Sequence, residues 1–187
     1  MKKALLGLIG LMSILLSTSL DAQPNPTPPP PPASANTTAA STVDPNAPYI
    51  IDKRMPTFSM TTIDGKEITN KDLPTKYKYT CIIIFSPDCS HCEHAGDEFN
   101  KNADKFKNVL FIWDSYRDMD LIKKFATKYN LANKPNVVIG RDGGFTIPSF
   151  FRPRMTPFVA LYDKGTFVKV WEQGVEPDEL IKITKGH

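Results

Sequence analysis

The amino-acid sequence predicts an α/β domain in residues 49–187. Residues 81–85 form an apolar run rich in β-branched side chains, which is typical of a strand buried in a sheet. Directly after it, apolar residues recur every three to four positions between Cys92 and Phe106, as on one face of an amphipathic helix. Two hairpin signals, at Asp64-Gly65 and Lys164-Gly165, add further strands at either end of the domain.

Two segments of different composition precede this domain. Residues 1–22 begin with Lys2 and Lys3, continue with an apolar stretch and end with small and polar residues, which predicts a secretory signal peptide cut after Ala22. The alternative is an uncleaved N-terminal anchor, because residues 4–20 have the length of a marginal membrane span. Residues 23–48 are rich in proline, serine, threonine and alanine, so we expect an extended linker without a core.

Charge and cysteine content exclude several classes of protein. The net charge is +3, and the basic residues are scattered, so no nucleic-acid-binding surface is expected. Three cysteines are too few for a disulfide scaffold but suit one redox pair and one additional thiol. Cys81 lies in the apolar run, and we expect it to be a buried core residue.

The hydrophobic pattern places the elements of the domain in order. They are a hairpin (58–63 and 67–68), a central strand (80–85), a helix (90–107), a strand (109–113), a helix capped by Asp118 (118–131), a short strand at a sheet edge or beside the site (137–139), an irregular segment (143–153), a second hairpin (158–162 and 167–171) and a final helix (177–185).

Cys89 and Cys92 stand where the central strand meets the first long helix. Free backbone N–H groups and the helix dipole stabilise a thiolate at such an N-terminus. Two intervening residues let the sulfurs meet across one helical turn and form a reversible disulfide. A C-x-x-C between alternating strands and helices resembles the redox motif of the thioredoxin-like proteins. Cys89 is the candidate nucleophile, and Cys92 the candidate resolving cysteine.

A second part of this resemblance is Thr156-Pro157, which is followed by a predicted strand. Thioredoxin-like proteins carry a cis-proline loop beside their disulfide, so Thr156 and Pro157 are expected to shape the substrate-binding groove. Residues 55–58, both hairpins and residues 171–174 are similar to the TlpA-like extracytoplasmic branch. The resemblance implies a thioredoxin fold, with a central mixed β-sheet flanked by helices and an N-terminal β-hairpin extension.

His91 and Asp88 are expected to act on the thiolate in opposite directions. A protonated imidazole at His91 would stabilise it and make the disulfide more oxidising, as the same position does in the oxidase DsbA. The carboxylate of Asp88 opposes thiolate formation. Because exposed charges screen each other, we expect the helix terminus and His91 to dominate.

The sequence departs from its relatives at the positions of their buried acids. Thioredoxin has an acid six residues before the first cysteine, where this chain has Ile83. The TlpA-like branch has a glutamate three residues after the second cysteine and a proline two further on, where this chain has Ala95 and Asp97. No proton-transfer group can therefore be assigned from the resemblance. Glu93, Glu98 and water remain open.

The sequence predicts an extracytoplasmic thiol–disulfide oxidoreductase, periplasmic or secreted, or anchored and facing the periplasm. Its partners would be protein thiols and disulfides and a membrane electron donor; no nucleic acid, cofactor or metal is expected. We favour reduction of protein disulfides, since the large helical insertion of DsbA is not visible. The alternatives are a DsbA-like disulfide oxidase and a non-enzymatic copper carrier that uses Cys89, Cys92, His91 and His94.

Overall fold

A computed structural model describes residues 45–185 of the chain. The predicted signal peptide (1–22) and nearly all of the predicted linker (23–48) lie outside the described residues. At the boundary between linker and domain, Ala47 is already buried and Pro48 begins a short helix. Between residues 45 and 185, no helix is long and apolar enough to cross a membrane.

The described residues form a mixed, seven-stranded sheet in the order β2-β1-β5-β4-β3-β6-β7. Strands β3, β4 and β5 are parallel, and each other neighbouring pair is antiparallel. The strands are β1 (Ser59–Thr62), β2 (Glu67–Thr69), β3 (Tyr79–Ile84), β4 (Val109–Ser115), β5 (Val137–Arg141), β6 (Phe158–Asp163) and β7 (Thr166–Trp171). The predicted fold class, including the N-terminal hairpin, is confirmed.

Helices cover both faces of the sheet. Three of them, α2, α3 and α5, contribute apolar side chains to one core, and α1 and α4 contribute to the core on the opposite face. Two short 3₁₀ turns, Asn70–Asp72 and Ala103–Lys105, accompany them. The helices are α1 (Pro48–Ile51), α2 (Ser90–Asn102), α3 (Met119–Lys128), α4 (Thr146–Phe151) and α5 (Pro177–Lys185).

The central strand β3 is buried on both faces, which explains its unbroken apolar sequence. Cys81 and Ile83 point into the core beneath α2, and Ile82 and Ile84 point into the opposite core. Cys81 is fully buried, and burial raises the pKa of its thiol far above the ordinary value. Its prediction as a core residue is confirmed.

Residues 137–139 were expected to form a strand at a sheet edge or beside the site. The edge position is wrong, because β5 lies between β4 and β1. Gly140 makes this pairing possible. A Cβ atom at Gly140 would stand 2.2 Å from the backbone oxygen of Thr61, so a larger residue would push the strands apart.

The prediction of an irregular segment over residues 143–153 is also wrong, since this segment contains α4. The side chain of Asp142 accepts hydrogen bonds from the backbone N–H groups of Gly144 and Ile147, at 3.0 and 2.7 Å, and so satisfies donors at the start of the helix. Pro148 is tolerated because it lies in the first turn, where its missing N–H leaves no helical bond unmade.

The two long helices are shorter than predicted. Helix α2 ends at Asn102 and continues as the 3₁₀ turn, rather than reaching residue 107. Helix α3 ends at Lys128, because Asn130 adopts a left-handed conformation and the N–H of Leu131 bonds back to the oxygen of Ala126. Asp118 occupies the N-cap position of α3, but its side chain makes no capping hydrogen bond.

Candidate active site

The loop between β3 and α2 brings the two cysteines to the C-terminal edge of the parallel strands. Cys89 occupies the N-cap position of α2, and Cys92 lies in the first turn. The backbone N–H of Cys89 donates to the oxygen of Ser86 at 3.1 Å, and the oxygen of Cys89 accepts from the N–H of Glu93 at 2.9 Å. These bonds fix the direction in which the Cys89 side chain leaves the helix terminus.

Cys89 is the more accessible of the two sulfurs, and its thiol is free. Its Sγ lies 3.5 Å from the backbone oxygen of Thr156, to which it donates. Partial burial works to raise the pKa of Cys89. Hydrogen bonds from the side chain and backbone of Cys92, from the side chain of Thr156 and from the backbone of His91 outweigh this effect, and the pKa lies below its ordinary value. Cys89 therefore has the properties of an attacking thiolate.

Cys92 is fully buried, and its thiol is also free. Its Sγ accepts a hydrogen bond from the backbone N–H of Ser86 at 3.5 Å. Burial nevertheless raises the pKa of the Cys92 thiol to about 12. The two cysteines thus differ in exposure and in acidity, in the directions that an attacking and a resolving thiol require.

The Thr156-Pro157 peptide bond is cis, and it stands opposite the cysteines just before β6. Thr156 is half-buried and directs its backbone oxygen to Cys89, while Pro157 is buried. Gly174 packs against the proline ring, since a Cβ at Gly174 would lie 3.1 Å from Pro157 Cγ. The structure therefore brings the predicted residues Cys89, Cys92, Thr156 and Pro157 into one place.

His91 and Asp88 flank Cys89 on the exposed side of the site. The carboxylate of Asp88 forms a 2.7 Å ion pair with the guanidinium of Arg117 and accepts a hydrogen bond from the hydroxyl of Ser86. The Ser86 bond and the charge of Arg117 lower the pKa of Asp88. The negative charge that was expected to oppose the Cys89 thiolate is therefore balanced.

Arg117 is a residue of the site that sequence reasoning missed. It follows β4 in the chain, and Asp88 follows β3. These strands are parallel neighbours, so the loops at their C-terminal ends meet at the same edge of the sheet. Knowledge that β3 and β4 are parallel neighbours would have predicted the contact between Arg117 and Asp88, but the sequence does not specify which strands are neighbours.

A buried acid, Asp114, was also missed. It lies near the end of β4, is fully buried and faces the core beneath α4. Its Oδ1 accepts a hydrogen bond from the N–H of Asp142 at 3.2 Å. Burial, and secondarily the charge of Asp142, raises the pKa of Asp114 to about 8. Of the acids left open by the sequence, Glu93 pairs with Lys128 outside the core at 2.7 Å.

Several large apolar side chains are exposed in the segments that follow β4 and β5 and precede β6. Phe145 and Tyr116 are 46% and 41% exposed and contact each other with ring centroids 5.0 Å apart. Met155, beside Thr156, is 49% exposed. Phe151 and Phe158, by contrast, are buried core residues.

A metal centre receives no support from the described part of the chain. Between residues 45 and 185, no three His, Cys, Asp or Glu side chains are grouped so that they could hold a metal ion. His91 and His94 are both exposed on α2, whereas Cys92 is buried beneath it. The ligand set of the copper-carrier alternative is therefore not assembled.

Comparison with protein families matches residues 51–168 to the AhpC/TSA family. This range contains both cysteines and Thr156-Pro157. A protein disulfide-isomerase of Ricinus communis is 29% identical over 111 residues, which are 57% of this chain and 22% of that protein. The chain thus spans about a fifth of the length of the curated relatives it matches.

Solved structures share the fold. A secreted disulfide oxidoreductase of Mycobacterium tuberculosis, homologous to E. coli DsbE, matches with a TM-score of 0.58 and 21% identity, over 70% of this chain and 96% of that one. StoA of Bacillus subtilis matches with a TM-score of 0.52 and 20% identity, over 69% of this chain and 97% of that one.

Proposed function

The chain belongs to the AhpC/TSA family, and from this premise we propose that it is a thiol–disulfide oxidoreductase acting on protein cysteines. The observation that carries the proposal is the asymmetry of the cysteine pair. Cys89 is accessible and has a lowered pKa, while Cys92 is buried and has a raised one. A structural pair of thiols would not need this difference.

In the reducing direction, the Cys89 thiolate attacks one sulfur of a substrate disulfide. The substrate S–S bond breaks, a mixed disulfide forms with Cys89, and one substrate thiolate leaves. Cys92 then attacks the Cys89 sulfur, the Cys89–Cys92 disulfide forms, and the second substrate thiolate leaves. Two electrons pass from the dithiol to the substrate.

Thr156 and Pro157 are proposed to present the substrate. The backbone oxygen of Thr156 already lies 3.5 Å from the Cys89 sulfur, so a substrate chain that pairs with this segment would carry its own sulfur to Cys89. His91 is proposed to tune the pair from the exposed side. Its imidazole lies between the cysteines in sequence and is open to solvent.

The proposed direction is reduction of protein disulfides, with oxidation as the alternative. A stabilised Cys89 thiolate favours the reduced dithiol, so it raises the reduction potential of the pair and makes its disulfide a stronger oxidant. The pairing of Asp88 with Arg117 balances a charge that would oppose the thiolate, so it also raises the reduction potential. No large helical insertion interrupts the described sheet, which favours the reductase.

An extracytoplasmic location is part of the proposal. It is supported by the predicted signal peptide and by the match to a secreted oxidoreductase. A reductase outside the cytoplasm consumes its own dithiol, so it needs a membrane electron donor to restore it. The protein would contact the membrane itself only through an uncleaved N-terminal segment.

Equilibration of the purified protein with a glutathione series tests the function and its direction together. A potential near that of thioredoxin, about −270 mV, is expected for a reductase, and one near that of DsbA, about −120 mV, indicates an oxidase. Insulin reduction should be lost in Cys89→Ala and kept in Cys81→Ala, the matched control. A pair that fails to exchange with glutathione overturns the proposal.

A further inference from the structure

The basic residues are scattered along the sequence, but the fold brings four lysines to one surface. Strands β4 and β5 are parallel, so the segments that precede them meet at the same edge of the sheet. Helix α5 also ends at this edge, where its last residue lines a surface pocket with the start of β4. We call this surface the basic face; its lysines are Lys105, Lys107, Lys134 and Lys185.

Two adjoining surface pockets show that these lysines are neighbours. Lys107 and Lys134 line the first pocket. Lys105, Lys107 and Lys185 line the second. Because Lys107 and Asp104 belong to both pockets, the four lysines form one continuous surface.

The basic face holds a concentrated positive charge. Asp104 is the one acid among the described residues that line the two pockets. The four lysines therefore give a local excess of three positive charges, as large as the net charge of +3 of the whole chain. None of the four is in an ion pair with another described residue. Their ammonium groups are free to pair with an external anion.

The basic face lies at the opposite edge of the sheet from the cysteines. Cys89 follows the C-terminal end of β3, whereas Lys107 precedes the N-terminal end of the parallel strand β4. Strand β4 has seven residues, and a strand rises about 3.3 Å per residue, so the two edges are about 20 Å apart. A partner on the basic face therefore leaves Cys89 accessible.

The composition of the basic face favours a lipid surface as this partner. Among the described residues that line its two pockets, there is no arginine and no large exposed apolar side chain. The cores of protein–protein interfaces are instead enriched in aromatic residues and arginine and depleted in lysine. Lysine is a compact point charge that suits a diffuse anionic surface. The predicted signal peptide or anchor in residues 1–22 also implies a location beside a membrane and away from nucleic acid.

We propose that the basic face binds the domain to an anionic membrane surface. Its lysine ammonium groups pair with lipid phosphates, and the edge that carries Cys89 is turned away from the membrane. The sequence predicts membrane contact only through residues 1–22, so the basic face is a second contact. This inference does not depend on the reaction proposed for the cysteines.

The ends of helices at this edge offer a competing explanation. Helix α2 runs into the 3₁₀ turn Ala103–Lys105, and α5 ends at Lys185. A lysine near a helix C-terminus stabilises the helix through its dipole. A role of this kind alone would change the free energy of unfolding without changing the affinity for lipid.

The test measures binding to lipid vesicles by sedimentation. Vesicles of phosphatidylglycerol and phosphatidylcholine in equal parts are compared with vesicles of phosphatidylcholine alone, at low ionic strength. The protein is residues 23–187, which keep every described residue and omit the apolar segment that could bind lipid by itself.

Two triple variants with the same net charge separate the basic face from charge in general. The basic-face variant combines Lys105→Gln, Lys107→Gln and Lys185→Gln. The control variant replaces three exposed lysines that lie outside the two pockets and are in no ion pair with a described residue: Lys71→Gln, Lys123→Gln and Lys124→Gln.

We expect each lysine of the basic face to contribute about fivefold to the partition onto anionic vesicles. The basic-face variant should therefore bind about 100-fold more weakly than the unsubstituted protein. The control variant should keep most of the binding, and all three proteins should bind phosphatidylcholine weakly. Salt at about 1 M should abolish the difference, because the Debye length falls to about 3 Å.

Several outcomes overturn the inference. They are equal weakening in both variants, full binding by the basic-face variant, and equal binding of the unsubstituted protein to both kinds of vesicle. Tighter binding to a DNA duplex than to anionic vesicles at the same phosphate concentration also overturns it. A lower urea midpoint of the basic-face variant with unchanged binding would assign its lysines to helix stability instead.

Chemical protection of the unsubstituted protein tests the orientation without any substitution. Anionic vesicles should protect Lys107 and Lys185 from a membrane-impermeant acetylating reagent. They should leave Lys123 and Lys124 reactive, and the rate of Cys89 alkylation by iodoacetamide should not change. Protection of both lysine pairs alike, or slowed alkylation of Cys89, contradicts the proposed orientation.

Discussion

Asp114 allows a direct test of how a buried carboxyl group makes the stability of this domain depend on pH. Its carboxyl group is fully buried and faces Asp142, and no described atom hydrogen-bonds to its Oδ2. Burial first, and the charge of Asp142 second, raises its pKa from 3.8 to about 8. The folded protein therefore holds a proton on Asp114 at neutral pH that the unfolded chain has released.

The sign of the pH dependence follows from this difference. Below about pH 4, both states are protonated at Asp114, and the group has no effect on stability. Between about pH 4 and about pH 8 the folded state binds more protons than the unfolded state, so the free energy of unfolding falls as pH rises. One proton gives a slope of at most about 1.4 kcal/mol per pH unit. The ceiling between about pH 5 and about pH 8 is therefore about 4 kcal/mol.

Asp114→Asn replaces the carboxyl group with a neutral group of similar shape and removes this dependence. We expect its free energy of unfolding, relative to the unsubstituted protein, to rise by several kcal/mol between about pH 5 and about pH 8. Urea unfolding of both reduced proteins, followed by tryptophan fluorescence, measures the difference. The titration of the cysteines is common to both and cancels.

Asp120→Asn is the matched control, because Asp120 is an exposed acid on α3. Its difference from the unsubstituted protein should stay constant over the same pH range. A constant difference for Asp114→Asn as well would refute the reasoning, since Asp114 would then take up no proton on folding.

Two further substitutions probe the surroundings of the cysteines. Arg117→Ala removes the ion-pair partner of Asp88, so the pKa of Cys89 should rise. The rise should be less than about one unit, because both charges are exposed. The pH dependence of iodoacetamide alkylation measures this pKa, and an unchanged alkylation profile contradicts the prediction. Gly174→Ala places a Cβ atom on a residue with a φ of 86° and brings it to 3.1 Å from Pro157. This substitution should lower the free energy of unfolding by about 1–2 kcal/mol. An unchanged midpoint of urea unfolding contradicts the prediction.

Most strands and helices could be predicted because their signals are local. The apolar run of β3 and the repeat of α2 and α3 depend on a few neighbouring residues. Helix α4 gave no such signal. It depends on the side chain of Asp142, which caps it from outside, and on Phe145, which adopts a left-handed conformation just before it. A glycine pair followed by a proline looks irregular unless this capping is known.

The interior position of β5 could not be predicted for a different reason. Strand order depends on contacts between distant parts of the chain, and the hairpin of β1 and β2 adds to β5 rather than to another edge. The same order brings Arg117 to Asp88. The interior position of β5 requires its pairing with both β4 and β1, and the contact of Arg117 with Asp88 requires the parallel pairing of β3 with β4. The sequence pattern encodes neither.

The cysteine pair could be predicted from local sequence, whereas the buried acid of the domain could not. The chemistry of a thiol at a helix N-terminus depends largely on the adjacent backbone, so an attacking role for Cys89 could be proposed from four residues of sequence. A buried acid has its chemistry set by what packs around it. The absence of an acid at Ile83 and Ala95 was visible in the sequence, but the burial of Asp114 was not. Asp114 is a buried acid because β4 lies in the interior of the sheet, between β3 and β5.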